Sequence, residues 1–353
     1  MPTPQHQVVK PEKLVATAIG MLEQELVVPN LFKKESVDAF KGAKDDTISV
    51  KVEGVLPFHE YAWRNDRSSG IVFDEYAERK IPVTFGGNFY SAVKLTDEQN
   101  DFDIDQWGKL LRPQVKAVAR GLARKCVTTL TGAAYNVVVG NTQQNLRGAL
   151  IEARRVLNKF QVPEGQRFML VGSDFEAALL ADEKLNLAQY VGDDTAESAL
   201  RLASLGQKFG FTFVVDQTIG ATDAYAFADT AFIMATAAPS VPQSVPYGAT
   251  TSFEGLALRW VRDYDSEHMQ DRSVVNCYAG VRDVKDVLVG WDEVEKTEIV
   301  SAGEHFVRGI KLTLDGASNY PAAASELAKI TGISDASVWT PTGRKPETDP
   351  ANA

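Results

Sequence analysis

The sequence predicts an α+β fold on three observations. Residues 47–52 alternate, with Ile48, Val50 and Val52 apolar between polar neighbours, which is the period of a half-buried strand. Ile104, Trp107, Leu111, Val115, Val118, Leu122 and Cys126 recur at steps of three or four, which is one face of a long helix. Between residues 144 and 215 helical and strand patterns alternate, as they do in a mixed lobe.

The chain has 353 residues, 44% of them hydrophobic and 24% charged, which is ordinary for a globular protein and argues against a fibrous or unfolded class. No apolar run approaches the length of about 20 residues that a membrane helix needs. Met1-Pro2-Thr3-Pro4-Gln5-His6 lacks the basic start and apolar core of a signal peptide, so a soluble protein made in a cytoplasm is expected. The net charge of −10 is a poor balance for wrapping nucleic acid. Cys126 and Cys277 are far apart in sequence and are expected to be buried free thiols.

Taken in order, residues 1–13 are polar and contain three prolines, which suits a loose arm. Val15, Ile19, Leu22 and Leu26 mark a first helix that Pro29 stops. The strand from Thr47 leads into a polar and aromatic stretch, 57–80, centred on Arg64-Asn65-Asp66-Arg67-Ser68-Ser69-Gly70, the expected tip of a long hairpin. Strands follow near 81–85 and 89–95. Asp101, Asp103 and Asp105 stand where a helix dipole favours negative charge. A helix over 103–131 would be roughly 40 Å long at 1.5 Å per residue, with Pro113 kinking it or marking its true start. Arg112, Lys116, Arg120, Arg124 and Lys125 on its later turns are expected to pair with acidic groups of neighbouring elements or subunits.

A second helix is expected over 144–160, a buried strand over 168–171 and a short helix opened by a Ser173…Glu176 capping box. Another helix is placed near 196–205 and a strand over 211–215. Pro239, Pro242 and Pro246 mark a linker. Two strands, 256–262 and 274–279, flank a charged turn.

Catalytic patterns are sparse. His6, His59, His268 and His305 are scattered, and His59-Glu60 lacks the second histidine of a zinc helix because Trp63 stands there. The Asp101 series fails as a calcium loop, with Gln106 where Gly is required. Gly206-Gln207-Lys208-Phe209-Gly210 lacks the Walker ending. Asp263, Asp265, Glu267, His268 and Asp271 could gather a metal, but a solvated turn is the simpler account. Neither a metal nor a cofactor is expected.

The order of elements resembles the tailed-bacteriophage major capsid protein family, whose fold is named after bacteriophage Hong Kong-97. Asp46-Thr47-Ile48-Ser49-Val50 resembles the start of that family's extended loop, and Ala92-Val93-Lys94-Leu95-Thr96-Asp97-Glu98 its end before the spine helix. Arg167-Phe168-Met169-Leu170-Val171 and Gly206–Phe213 are similar to the strand pair of its axial domain, and Ala224–Phe232 to the strand after it. The resemblance spans roughly residues 10–290. It implies an arm over 1–45, an extended loop over 46–98, a peripheral domain with the spine helix over 99–138, an axial domain over 139–245, peripheral strands over 246–290 and a C-terminal extension over 291–353.

It further implies a non-enzymatic protein that assembles with itself into pentamers, hexamers and an icosahedral or prolate head. The shell would enclose double-stranded DNA without reading its sequence. Scaffolding, portal and decoration proteins are the further partners implied, with assembly in the host cytoplasm and residence in the virion. Intersubunit salt bridges are expected from Arg64, Asp66, Arg67 and Glu75, whose mixed signs suit contact between copies. Some members of the family join a loop lysine to an asparagine of the next subunit. Lys51, Lys80 and Asn276 have the residue types for that but match no motif by position, and ordinary solvated lysines and a hydrogen-bonded asparagine are the simpler account. Two other readings stay open, an encapsulin-like compartment and a soluble α/β enzyme with an Asp/Glu site.

Overall fold

A computed structural model describes residues 26–35, 47–52, 56–59, 70–74, 76, 79–102, 107–182, 206–245, 247–253, 256–292 and 297–334. The expected arm helix and the helix near 196–205 lie outside these residues. The chain divides into two compact units, each drawn from separated segments: 1–50, 80–132 and 232–283 in the first, and 51–79, 133–231 and 284–353 in the second.

The first unit is organised by one long strand. Its strands are β1 (Lys33–Glu35), the start of β2 (Thr47–Val52), β3 (Arg79–Thr84) and β4 (Gly87–Thr96), then, after five strands of the second unit, β10 (Phe232–Ala237), β11 (Tyr247–Phe253), β12 (Leu256–Asp265) and β13 (Gln270–Asp283). β2 and β3 pair as a two-stranded ribbon. β4 lies antiparallel along one edge of β13, from Thr96 opposite Gln270 to Gly87 opposite Ala279. The other edge of β13 is shared: residues 270–276 pair with β12 and 278–283 with β10. Sequence reasoning assigns β4 to the extended loop, but its ten residues belong to this sheet. The alternation of Val93 and Leu95 fits either partner, and only the sheet supplies a strand of matching length.

The first unit also holds two helices, α1 (Asp97–Phe102) and α2 (Trp107–Gly132). Pro113 neither starts nor ends α2; it sits in the second turn, where it removes one backbone donor from the ladder. The apolar face of α2 buries Leu111, Val115, Val118, Leu122, Cys126 and Leu130, all at or below 5% exposure. A polar link fixes this helix on the sheet. The Gln114 amide donates to the Ser91 and Ser273 carbonyls at 3.3 and 3.0 Å, and its Oε1 accepts from Ser273 Oγ at 2.9 Å. Ser273 Oγ in turn accepts from the Trp260 indole at 2.9 Å. All the groups are satisfied, so burying them costs little. Cys126 and Cys277 are buried free thiols, as expected, and burial pushes each up to about 12.

The second unit centres on a six-stranded sheet ordered β5-β16-β9-β6-β8-β7. Its members are β5 (Val138–Val139), β6 (Arg167–Val171), β7 (Gln207–Lys208), β8 (Phe211–Val215), β9 (Asp223–Ala228) and β16 (Gly309–Thr313). β14 (Val289–Asp292) and β15 (Thr297–Val300) form a separate ribbon. Helix α3 (Leu146–Lys159) is capped by the Asn145 side chain, which accepts from the Gly148 N–H, and buries Leu150, Ala153, Val156 and Leu157. Beneath it Glu152 is 2% exposed, bonded twice by Arg155 and once by the Tyr320 hydroxyl at 3.0 Å.

Three expectations change here. The capping box of α4 (Ser173–Ala181) does not form. Gly172 occupies the cap, and the Ala221 carbonyl accepts from both Asp174 and Phe175 N–H groups, so the Ser173 hydroxyl is not called upon. Gly172 is required there because a Cβ would lie 2.2 Å from the Gly220 carbonyl oxygen. The lobe ends at Ala231 and not at 245, since β10 crosses into the sheet of the first unit. Residues 291–353 are not a simple extension. β16 is an interior strand between β5 and β9, and short α5 (Glu326–Thr331) follows it.

Ile310 and Leu312 of β16 are fully buried. Leu312→Ala should therefore cost about 2–5 kcal/mol and lower the thermal midpoint of the purified protein. An unchanged midpoint would show that the segment is peripheral after all.

Candidate assembly surfaces

A loop that belongs to a self-contained protein turns its large apolar residues inward. The described residues between 56 and 76 do the reverse: Ile71, Val72 and Phe73 are 63%, 65% and 85% exposed, and Leu56, Phe58 and Tyr76 are about half exposed. Burying a Val, Ile or Phe side chain in full is worth roughly 1.5–3 kcal/mol, so this segment withholds a large fraction of its hydrophobic free energy from the isolated chain.

The root of the segment is fastened. Phe58 stacks on Trp291 of β14 with ring centroids 5.8 Å apart and planes 10° from parallel. The Phe58 N–H donates to Glu298 of β15 at 2.6 Å, and His59 and Asp74 meet at 2.8 Å across the loop. Leu56, Trp291 and Glu298, with Gln161, Val289 and Gly290, border a depression of about 290 Å³. Gln161 keeps a left-handed backbone at the end of α3, where glycine is the usual choice.

Arg64, Asp66, Arg67 and Glu75 lie outside the described residues. Lys80 is exposed on β3, and Lys51 lies on β2. Asn276 is 3% exposed. Its Oδ1 accepts from Arg259 Nε at 2.9 Å, and its Nδ2 donates to Asn88 Oδ1 at 3.1 Å. Among the described residues no hydrogen bond or ion pair joins Lys80 to Asn276.

The acidic turn between β12 and β13 is laced internally. Arg262 meets Asp271 at 2.6 Å, Arg272 meets Asp263 at 2.7 Å, and His268 meets Asp265 at 3.1 Å. Partial burial works to raise the Asp265 carboxyl, yet His268, the Glu267 N–H and Arg272 hold it below the usual carboxylate range. Among the described residues no cluster of three His, Cys, Asp or Glu side chains is placed to hold a metal. Of the basic residues of α2, Arg112, Arg120 and Arg124 are exposed and meet no carboxylate of the described residues of their own chain.

Sequence reasoning missed the apolar triplet Ile71-Val72-Phe73. Its signal was there to be read, as three consecutive apolar residues after Gly70 in a stretch otherwise rich in turn formers.

Comparison with known proteins follows from this geometry. A family described as phage capsid protein matches residues 83–272. No curated protein sequence matches the chain. Among solved structures, one from Mycobacterium phage Che8 is 14% identical with a TM-score of 0.56, covering 83% of this chain and 92% of that one. The capsid of the cyanophage P-SCSP1u is 10% identical with a TM-score of 0.52, covering 80% and 89%. The capsid of Ralstonia phage GP4 is 10% identical with a TM-score of 0.51, covering 81% and 88%. At these identities the likeness is one of fold.

The Phe58–Trp291 stack should be worth about 0.5–1.5 kcal/mol beyond the area it buries. Trp291→Ala is expected to speed limited proteolysis within residues 56–74 several-fold while the core melts normally. Equal cleavage rates would show that the loop root is held elsewhere.

Proposed function

The chain belongs to the phage capsid protein family, and from that premise we propose that its extended loop and N-terminal arm make ring-forming contacts that build pentamers and hexamers and close them into the phage head. It is a major capsid protein, a structural component of the virion's shell and not an enzyme. The observation that carries this reading is the family match, which runs from the ribbon through both units to β13.

The exposed apolar loop supports the assembly step. Ile71, Val72 and Phe73 gain little within the chain and much against a neighbour. Contacts between unlike surfaces of successive copies close into rings when the rotation allows, and rings of five and six tile a closed icosahedral or prolate shell. Arg64, Asp66, Arg67 and Glu75 at the loop tip then pair between copies. Each exposed pair is worth only about 0–1 kcal/mol, but a shell repeats it many times. Double-stranded DNA is enclosed without sequence-specific contacts. Scaffolding, portal and decoration proteins complete the particle, which assembles in the host cytoplasm.

Expression of the chain, alone and with a scaffolding protein, followed by sedimentation and electron microscopy, tests this directly. Rings or closed shells are expected, and a strict monomer under all assembly conditions would overturn it. Arg64→Glu with Arg67→Glu should impair assembly and leave the subunit folded, whereas normal shells from that variant would refute the tip contacts.

Cross-linking through Lys51 or Lys80 and Asn276 has its own readout. Asn276 would have to leave Arg259 and Asn88 before its amide could be attacked. Shells boiled in detergent should therefore run as one band near 38.5 kDa. A ladder of covalent multimers that vanishes in Lys51→Arg or Lys80→Arg would establish the cross-link instead.

A further inference from the structure

Helix α2 contains six basic residues, Lys109, Arg112, Lys116, Arg120, Arg124 and Lys125, and no acidic one. The chain as a whole has a net charge of −10. Arg112, Lys116, Arg120 and Arg124 follow steps of four and so form one stripe along the helix. Leu111, Val115, Val118, Leu122 and Cys126 occupy the buried stripe, which sets Arg112, Arg120 and Arg124 on the solvent side. Like charges four apart on a helix repel by a few tenths of a kcal/mol per pair. Among the described residues no carboxylate reaches these three arginines to offset that repulsion.

We propose that this stripe is the surface on which the shell's inner wall contacts packaged double-stranded nucleic acid, through phosphates alone. The proposal rests on the capsid reading and adds to it the residues and the side of the helix. Three chemical features select this occupant. Arginine matches phosphate with two parallel donors. From Arg112 to Arg124 the stripe runs about 18 Å at 1.5 Å per residue, and a duplex offers a charge roughly every 1.7 Å of its axis, so contact needs no register. The helix includes no carboxylate that would repel a phosphate. A second copy of the chain is the competing occupant, through its acidic turn. There Asp263, Asp265 and Asp271 are already held by Arg272, His268 and Arg262. A net charge of −10 therefore conceals a local basic line.

The test uses the full chain carrying Arg112→Gln, Arg120→Gln and Arg124→Gln together. A control replaces three exposed cations elsewhere, Arg147, Lys159 and Lys329, by Gln for the same change in net charge. Binding of two unrelated duplexes of about 30 base pairs is followed from about 50 to 200 mM salt, and shell formation is scored separately by electron microscopy. The stripe variant should lose at least about tenfold in affinity at low salt, equally for both sequences, and its log K against log salt slope should flatten by about one per arginine. It should still form shells, and the control should keep the parent slope. An unchanged slope in the stripe variant overturns the proposal, as does an equal loss in the control. Lost shells with unchanged DNA binding overturn it too, and assign the stripe to a neighbouring subunit. Failure of the parent chain to form any oligomer would instead strike the capsid reading, and is seen on the microscopy arm alone.

Discussion

The first unit depends on a single constraint, that β13 must satisfy both of its edges with three strands, of which only β12 is its neighbour in sequence. β4 takes one edge, while β12 and then β10 divide the other. A strand of fourteen residues is long by the usual measure of five or six, and the length is what lets it serve three partners. Its inward residues, Ser273, Val275, Cys277 and Ala279, are at or below 1% exposure. They form the floor on which α2 rests, and the Gln114–Ser273–Trp260 link fixes where along that floor the helix lies.

Much of this was legible in sequence, because hydrophobic period reports which face of an element is buried. The faces of α2 and α3, the strands β6, β8, β12 and β13, and the two buried thiols all follow from local pattern. Partner choice does not. β4 has the alternation of a loop strand and of a sheet strand alike, and the matching register on β13 lies nearly two hundred residues away. β16 is five residues long, and it pairs with β9 across a gap of more than eighty residues, so nothing near it in sequence marks it as interior. The Ser173…Glu176 spacing failed for a related reason: the Ala221 carbonyl, remote in sequence, had already taken the helix-end donors.

The functional surfaces follow the same division. Composition excluded the common catalytic patterns, and the order of elements pointed to the capsid family. The basic residues of α2 were visible as a series, but whether they were neutralised depended on side chains brought near by the fold. Asn276 shows the converse. Its residue type suits a reactive acceptor, yet the fold ties both ends of its amide to Arg259 and Asn88.

The interleaving of the two units also sets a timetable for the newborn chain. About 180 residues separate β4 from the partner it needs on β13, and ribosomes add about 5–20 residues per second. For roughly ten to forty seconds, then, β4 waits with an unsatisfied edge while the lobe of the second unit is being made. That lobe waits in its turn for β16. Neither unit can finish before the other has begun. A young subunit therefore passes through a stage rich in open strand edges, at which misassociation competes with folding, and the high output that a shell demands would make chaperone capacity during synthesis a limiting resource.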